Sequence, residues 1–342
     1  MKSSRRAARR VPPGTTLTRR AWLERVGAAA LLEGSVAATS RAAQAAPPVV
    51  GFLGLTGPAP GQAASFLEGL AQGGFVDGRN MAIVYRWADN RAERLPALAA
   101  ELVAARPALI ATVGGIGAAR AARAATASVP VVFEVGIDPV AAGLVASLAR
   151  PGGNATGVYM LTGTLNEKRV QYLHEMVPRA STVALLLNPH GPMAEIEARV
   201  RESTDLRGLR LVVVRAGTEQ EIESALQEMV SRGAGALVVA NSPFFNSRRE
   251  QLAAAALRLR IPAIFEWRDF VSAGGLMSYG SDISAVLRQL GVYAARVLKG
   301  APPAELPIVQ PDRFELVINR RTAARLGLTI PQGLLLRAEV VE

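Results

Sequence analysis

The sequence predicts an α/β protein of two doubly wound parallel-sheet lobes joined by three crossings. Three observations carry this. Short apolar runs rich in Val, Ile and Leu alternate with helical patterns in two comparable sets, the mark of βαβ units on parallel sheets. The 342 residues exceed one average domain, and half are apolar against a fifth charged, enough for two buried cores. After the second set the pattern breaks into lone extended segments around a single helix, as when a chain passes back and forth between two bodies.

In the first set, residues 49–55 read as a buried strand, followed by a helix near 62–70 and a strand at 81–87. Leu95, Leu98, Ala99, Leu102 and Val103 then recur with helical spacing on one apolar face. Leu109–Val113 and Val131–Val135 are two more buried strands. Each is expected to lead into an Ala-rich helix, the second beginning at Pro139 with Asp138 as its N-cap.

The second set opens with Thr164-Leu165-Asn166-Glu167, a capping box before a helix with Val170, Leu173 and Val177 inward. Thr182–Leu187 and residues 209–214 are strands, and Thr218 with Glu221 caps a helix presenting Ile222, Ala225, Leu226, Met229 and Val230. Residues 236–240 form a strand, Ser247-Arg248-Arg249-Glu250 caps the next helix, and 261–265 completes the set. Residues 276–279 and 308–310 are single extended segments flanking a helix with Leu287, Leu290, Ala294, Val297 and Leu298 inward. Residues 314–318 are a last strand. One lobe is thus expected at 46–157 plus 281–305 and the other at 162–275 plus 311–342. The hinge crossings fall at 158–161, 276–280 and 306–310. Three crossings permit bending while holding the lobes together.

The net charge of +11 is not a nucleic-acid signature. Nine of the 39 basic residues, but only two acidic ones, lie in the first 46 positions. Elsewhere both signs are mixed, and no basic stripe is interleaved with aromatics, so nucleic acid is not an expected partner. Without cysteine there is no disulfide, thiolate metal site or lipid-modified N-terminal cysteine. His174 and His190 are too few for a His-rich metal centre, and no cofactor is expected.

Thr18-Arg19-Arg20-Ala21-Trp22-Leu23 resembles the twin-arginine export motif. An apolar run at 26–32 follows, and Ala43-Gln44-Ala45 reads as an A-x-A cleavage site. Glu33 ends the run well short of membrane-spanning length. Residues 1–45 are therefore expected to be a removed export signal, leaving a soluble, periplasmic, monomeric protein without a lipid anchor.

Reaction chemistry finds little support. Gly275-Leu276-Met277-Ser278-Tyr279-Gly280 misses the G-x-S-x-G nucleophile elbow by one position, and there is no P-loop or H-E-x-x-H. Gly115-Ile116-Gly117 begins G-x-G-x-x-G, but Arg120 stands at the final glycine position and the run follows the third strand. The chain is not expected to be an enzyme, with an exported α/β hydrolase as the weaker alternative.

The ordered set of motifs resembles the ABC-transporter substrate-binding family of tryptophan/tyrosine type, across residues 49–342. The resemblance is carried by Gly78-Arg79-Asn80, Tyr85-Arg86-Trp87, Arg94-Leu95-Pro96, Asp138-Pro139-Val140 and Pro151-Gly152-Gly153-Asn154-Ala155-Thr156-Gly157. It continues through Leu187-Asn188-Pro189, Phe244-Phe245-Asn246, Ile261-Pro262-Ala263-Ile264-Phe265-Glu266-Trp267-Arg268, Gly274-Gly275-Leu276-Met277 and Phe314-Glu315-Leu316-Val317. It implies a type I periplasmic-binding fold, one small organic ligand in an interlobe cleft, and delivery to an ABC permease in the inner membrane. The same lobes could instead report ligand occupancy to a chemoreceptor or sensor kinase. The chain departs from the family's pattern at Ile116 and around Leu55-Thr56, where relatives commonly carry hydroxyls.

Ligands of open α/β sheets bind beyond the C-terminal strand ends. That selects Thr56, Gly57, Gly114, Gly115, Ile116, Gly136 and Asp138 in the first lobe. In the second it selects Asn188, Pro189, His190, Asn241, Ser242, Phe244, Glu266 and Trp267. Gly114-Gly115 before a helix can cradle a carboxylate, and Asp138 or Glu266 can receive an ammonium. Trp267, Tyr159, Tyr279 and Phe244 are expected to form an aromatic wall for an apolar or cationic ligand.

Overall fold

The computed structural model describes residues 47–342, apart from positions 59, 60, 163, 164 and 192. The expected export signal, residues 1–45, and Thr164 of the expected capping box lie outside these residues. Pro47–Glu342 forms one compact unit built on two sheets.

The first sheet contains β1 (Val49–Gly54), β2 (Ala82–Trp87), β3 (Leu109–Val113), β4 (Val131–Val135) and β5 (Ala155–Tyr159). Its order is β2-β1-β3-β4-β5 and every pairing is parallel. β3, β4 and β5 are buried along their full length, which is why they read as continuous apolar runs rather than alternating ones. Helices α1 (Gln62–Gln72), α2 (Leu95–Ala104) and α3 (Ile116–Ala125) connect the strands.

The second sheet holds β6 (Thr182–Leu187), β7 (Arg210–Arg215), β8 (Ala236–Val239), β9 (Ala263–Phe265) and β10 (Met277–Ser281), with β11 (Phe314–Asn319) and β12 (Glu339–Val341) at one edge. The intervening helices are α4 (Leu165–Met176), α5 (Met193–Asp205), α6 (Glu219–Ser231), α7 (Pro243–Ser247), α8 (Arg249–Arg258) and α9 (Arg268–Ser272). Thr218 and Glu221 form the expected capping box at the start of α6. Ser247 does not cap α8. It closes α7, its Oγ donating to the Phe244 carbonyl at 2.7 Å.

The chain then returns to the first sheet. Asp282 caps α10 (Ile283–Leu298) by accepting from the Ser284 and Ala285 N–H groups at 2.8 and 3.2 Å. α10 lies along α1 and packs on β3, β4 and β5. A Cβ at Gly69 would overlap the Arg288 carbonyl oxygen, and one at Gly291 would overlap that of Phe66. Two glycines thus set the closeness of this crossing. After α10, Val309 bridges Val158 beside β5, and the chain enters the second sheet again as β11. Helices α11 (Arg320–Arg325) and α12 (Gln332–Leu335) precede β12.

This route explains an antiparallel pair that the wholly parallel expectation did not include. β10 ends at Ser281, from where the chain leaves for the first sheet. β11 starts at Phe314, paired with Ser281, and runs back to Ile318 opposite Met277. Leaving and re-entering at one edge forces opposite directions. Most of the expected crossing at 276–280 is therefore strand, and the passage to α10 occurs at Asp282.

The expected helix at Pro139 is absent. Residues 139–143 form turns, with Asp138 Oδ1 accepting from the Val140 and Ala141 N–H groups at 2.8 and 3.3 Å. The side chain nucleates the turn by satisfying donors that a helix would also leave free. Among the described residues no helix is long and apolar enough to cross a membrane.

Candidate ligand-binding cleft

The topology turns the C-terminal strand ends of the two sheets toward each other. β5 leads out of the first sheet toward α4, and β10 leads out of the second toward α10. The edges touch. Asn90, just after β2, donates from Nδ2 to Ser247 Oγ at 3.2 Å, and Gly115 faces the Pro243 ring, about 4.0 Å from its own Cβ position. One apolar cluster joins Val113 and Met160 of the first side to Phe245 and Trp267 of the second.

The first edge is shaped by backbone. Gly114 and Gly115 take positive φ (88° and 93°), a region open to glycine at little cost. A side chain at Gly114 would press on Leu55. The Gly114 N–H is not free for a ligand carboxylate, because it donates to Glu134 Oε2 at 3.2 Å. The Gly136 carbonyl accepts from the Thr162 N–H and hydroxyl at 3.1 and 2.9 Å, tying this loop to the chain that leaves β5. Thr56, Gly57 and Ile116 are partly exposed at the same edge.

The second edge is shaped by side chains. Asn188, after β6, donates to Ser242 Oγ at 2.9 Å, joining two strand-end loops. Asn241 donates to Glu266 Oε2. Glu266 Oε1 lies 3.6 Å from Arg169 Nη2, with Arg169 fully buried. Arg169 also donates to the Tyr279 carbonyl at 2.8 Å and to Asn166 Oδ1 at 2.7 Å. Asn241, Ser242, Phe245, Asn246, Glu266, Trp267 and Phe270 line a narrow recess of about 10 Å³, the space of one water-sized group.

Burial dominates the electrostatics. It pushes Glu134 up to about 7, opposed by the Gly114 N–H. It pushes Glu266 up to about 7 as well, with Arg169 pulling down and Glu134 pushing up. Arg169 is lowered by burial, against the favourable pull of Glu266 and Tyr279. The Coulombic link between Glu134 and Glu266 brings a carboxylate from each sheet into one buried group.

Several expected residues lie elsewhere. The four aromatics do not form one wall. Phe244 and Trp267 share a cluster, whereas Tyr159 and Tyr279 belong to two others. The Tyr279 ring meets Tyr172 and Phe314, at 4.9 and 6.3 Å between centroids, so the residue serves the site through its carbonyl. Pro189 and His190 are exposed and stand against Gly217. Asp138 is exposed and occupied by its turn. Sequence reasoning missed Glu134, Arg169 and Asn246. The first two carried a signal: Glu134 is the lone charge in the apolar run Val131–Val135, and Arg169 falls on the inward face beside Val170 and Leu173. Among the described residues there is no group of three potential metal ligands.

A tyrosine-binding protein of Clostridioides difficile (strain R20291) is 26% identical over 264 residues, covering 77% of this chain and 75% of that one. A conserved domain protein of Vibrio cholerae O1 biovar El Tor superposes with a TM-score of 0.80 at 26% identity, over 86% of this chain and 100% of that one. An ABC domain from Streptococcus pneumonia in complex with L-Trp gives a TM-score of 0.78 at 24% identity, over 86% and 99%. These similarities agree with two α/β lobes of periplasmic-binding type. The family of ABC transporter substrate binding proteins matches residues 58–342, and this chain belongs to it.

Proposed function

We propose that the protein is the extracytoplasmic solute-binding component of an ABC importer, exported by residues 1–45 and working as a monomer. It captures a small amino-acid-like or aromatic molecule between its lobes and presents the closed form to an inner-membrane permease. The observation that carries this reading is the meeting of two C-terminal strand edges around buried polar groups, Glu134 on one side and Glu266 with Asn241 on the other. Facing edges of this kind give a cleft from which closure excludes water. Bending at 158–161, around 276–282 and at 306–310 would open it while three connections keep the edges aligned. Closure is then stabilised by ligand contacts made from both sides, added to the direct contacts between the edges. The tyrosine-binding relative and the L-Trp complex support an amino acid as the ligand class.

The test is a thermal-shift screen against amino acids, aromatic acids, polyamines and sugars, with each hit recovered and assayed for chemical change. A ligand at one hundred times its Kd stabilises by about 2.7 kcal/mol, a shift of roughly a few degrees at this size. Recovery of the hit unaltered is the expected result. A hit that is consumed overturns the reading in favour of an enzyme.

A further inference from the structure

The recess beside Trp267 holds polar groups that the protein itself leaves without a hydrogen bond. Glu266, Asn246 and Trp267 are only 5, 7 and 8% exposed, yet Asn246 Oδ1 and Trp267 Nε1 have no hydrogen-bond partner, and Glu266 Oε1 has only the Arg169 guanidinium, at 3.6 Å and beyond hydrogen-bond reach. Native proteins rarely leave such atoms unpaired, and an orphaned buried group carries its full desolvation cost. All three line one space of about 10 Å³, wide enough for a single water-sized group.

The chemistry of the missing partner follows from these atoms. Two are acceptors and call for a donor. The third, an indole N–H, only donates and calls for an acceptor. The net charge points the same way. Buried Arg169 supplies one positive charge, while Glu266 and the buried Glu134 supply two negative ones when ionised. One negative charge is left over. A primary ammonium is water-sized, carries one positive charge and has three N–H donors.

We propose that Glu266 Oε1 and Asn246 Oδ1 form the subsite for a primary ammonium group of the ligand, with Trp267 Nε1 donating to an acceptor beside it. The subsite would thus take the amine of the amino-acid ligand proposed above, with the ligand's carbonyl or carboxylate as the neighbouring acceptor. This inference rests on the solute-binding reading above.

A proton linkage accompanies it. The groups facing Glu266 are Arg169 from α4, Glu134 from β4 and the Asn241 amide from the loop after β8, with Tyr279 of β10 facing Arg169. Glu266 and Glu134 are both held at about 7 by burial, so near neutral pH the buried group retains part of a proton. An incoming ammonium replaces that proton, and binding releases it.

The experiment is calorimetric titration of the purified protein with L-tryptophan, L-tyrosine, L-phenylalanine and L-leucine, each beside its deamino and N-acetyl analogues. Loss or acylation of the amine is expected to weaken binding at least about 100-fold, because the orphaned acceptors are then buried unpaired. A deamino analogue binding within about threefold of its parent (less than 1 kcal/mol) overturns the subsite and leaves the solute-binding reading standing. No binding by any of the four parents overturns the amino-acid reading and the subsite together. E266Q keeps the side chain's shape and should lose most discrimination between parent and deamino analogue. Its proton release at pH 7, read from the dependence of binding heat on buffer ionisation enthalpy, should fall to the share that Glu134 supplies. Unchanged release in E266Q overturns the linkage. If E266Q fails to fold, the analogue series in the unaltered protein decides the matter alone.

Discussion

The two edges that meet at the cleft share an architecture and differ in material. The first is backbone. Gly114, Gly115 and Gly136 bring the main chain close, and the buried charge of this edge, Glu134, is partly spent on the Gly114 N–H. The second is side chain: Asn188, Asn241, Ser242, Asn246, Glu266 and Trp267 converge there, backed by Arg169. Glycine turns fix a surface without much chemical preference, whereas amides, a carboxylate and an indole N–H discriminate between ligand groups. On the proposed function this is a division of labour, in which the first lobe would shape the cleft and the second would read what enters it.

The backbone character of the first lobe extends to its support. α10, reached only after the second sheet is nearly complete, is held against α1 by the contact of Gly69 and Gly291 with opposing carbonyls. Gly291→Leu should therefore destabilise the protein by about 3 kcal/mol or more, since neither backbone can yield without separating the helices. Urea denaturation would measure it. A loss below about 1 kcal/mol would break the picture of a lobe assembled by backbone approach.

The buried carboxylates, one from each edge, should appear in the pH dependence of stability. The native pKa values of Glu134 and Glu266, about 7, lie above the ordinary carboxylate value of 4.5. The folded protein thus holds protons that the unfolded chain has released between pH 4.5 and 7. Stability must fall as pH rises through that window and level off above it. The two groups are coupled, and a loss of about 2–3 kcal/mol for each proton shed, up to about 5 kcal/mol for the pair, is expected between pH 5 and pH 8. Melting the unliganded protein across this range checks the sign. Glu134→Gln should flatten the slope, because it removes one titrating group and relieves the other. A stability that rises from pH 5 to pH 8 would mean that the carboxylates are not confronted as described.

Much of the fold was legible because buried parallel strands write themselves as apolar runs. Leu109–Val113, Val131–Val135 and Thr182–Leu187 have the predicted bounds. Helix α5 left no such mark: its pattern is charged and its buried positions include Ser203 and Thr204. The Asp138-Pro139 start signal was misleading because turn and helix use the same first hydrogen bonds. The direction of β11 is a consequence of the chain's excursion through α10, which no local pattern encodes. At the cleft, strand-end logic named Asn241, Ser242, Glu266 and Trp267, which line the recess, and ranked Tyr159 and Tyr279 with them. An aromatic at a strand end can pack sideways into its own lobe, and only the three-dimensional neighbours decide which occurs. Arg169 and Glu134 were hidden for the opposite reason, as charges inside apolar periodicity whose partners are remote in sequence.

Asn90 is a first-lobe side chain that reaches across with a hydrogen bond, and it tests the division of labour most finely. It sits at φ 61°, next to Asp89 at φ 54°, in the left-handed region where asparagine is tolerated and alanine is strained. Asn90→Gly keeps that backbone accessible and removes only the bond from Nδ2 to Ser247 Oγ. An exposed hydrogen bond of this kind contributes about 0.5–1 kcal/mol, so ligand affinity should drop roughly two- to fivefold. The loss should fall mainly on the dissociation rate, because the contact exists only when the edges have met. Stopped-flow release of the ligand found in the screen would measure it, with Ser247→Ala as the partner variant. Equal, non-additive losses in the two variants and their double would identify the pair as a closing contact between lobes. No change in either would leave the first lobe's share of the cleft to its backbone alone.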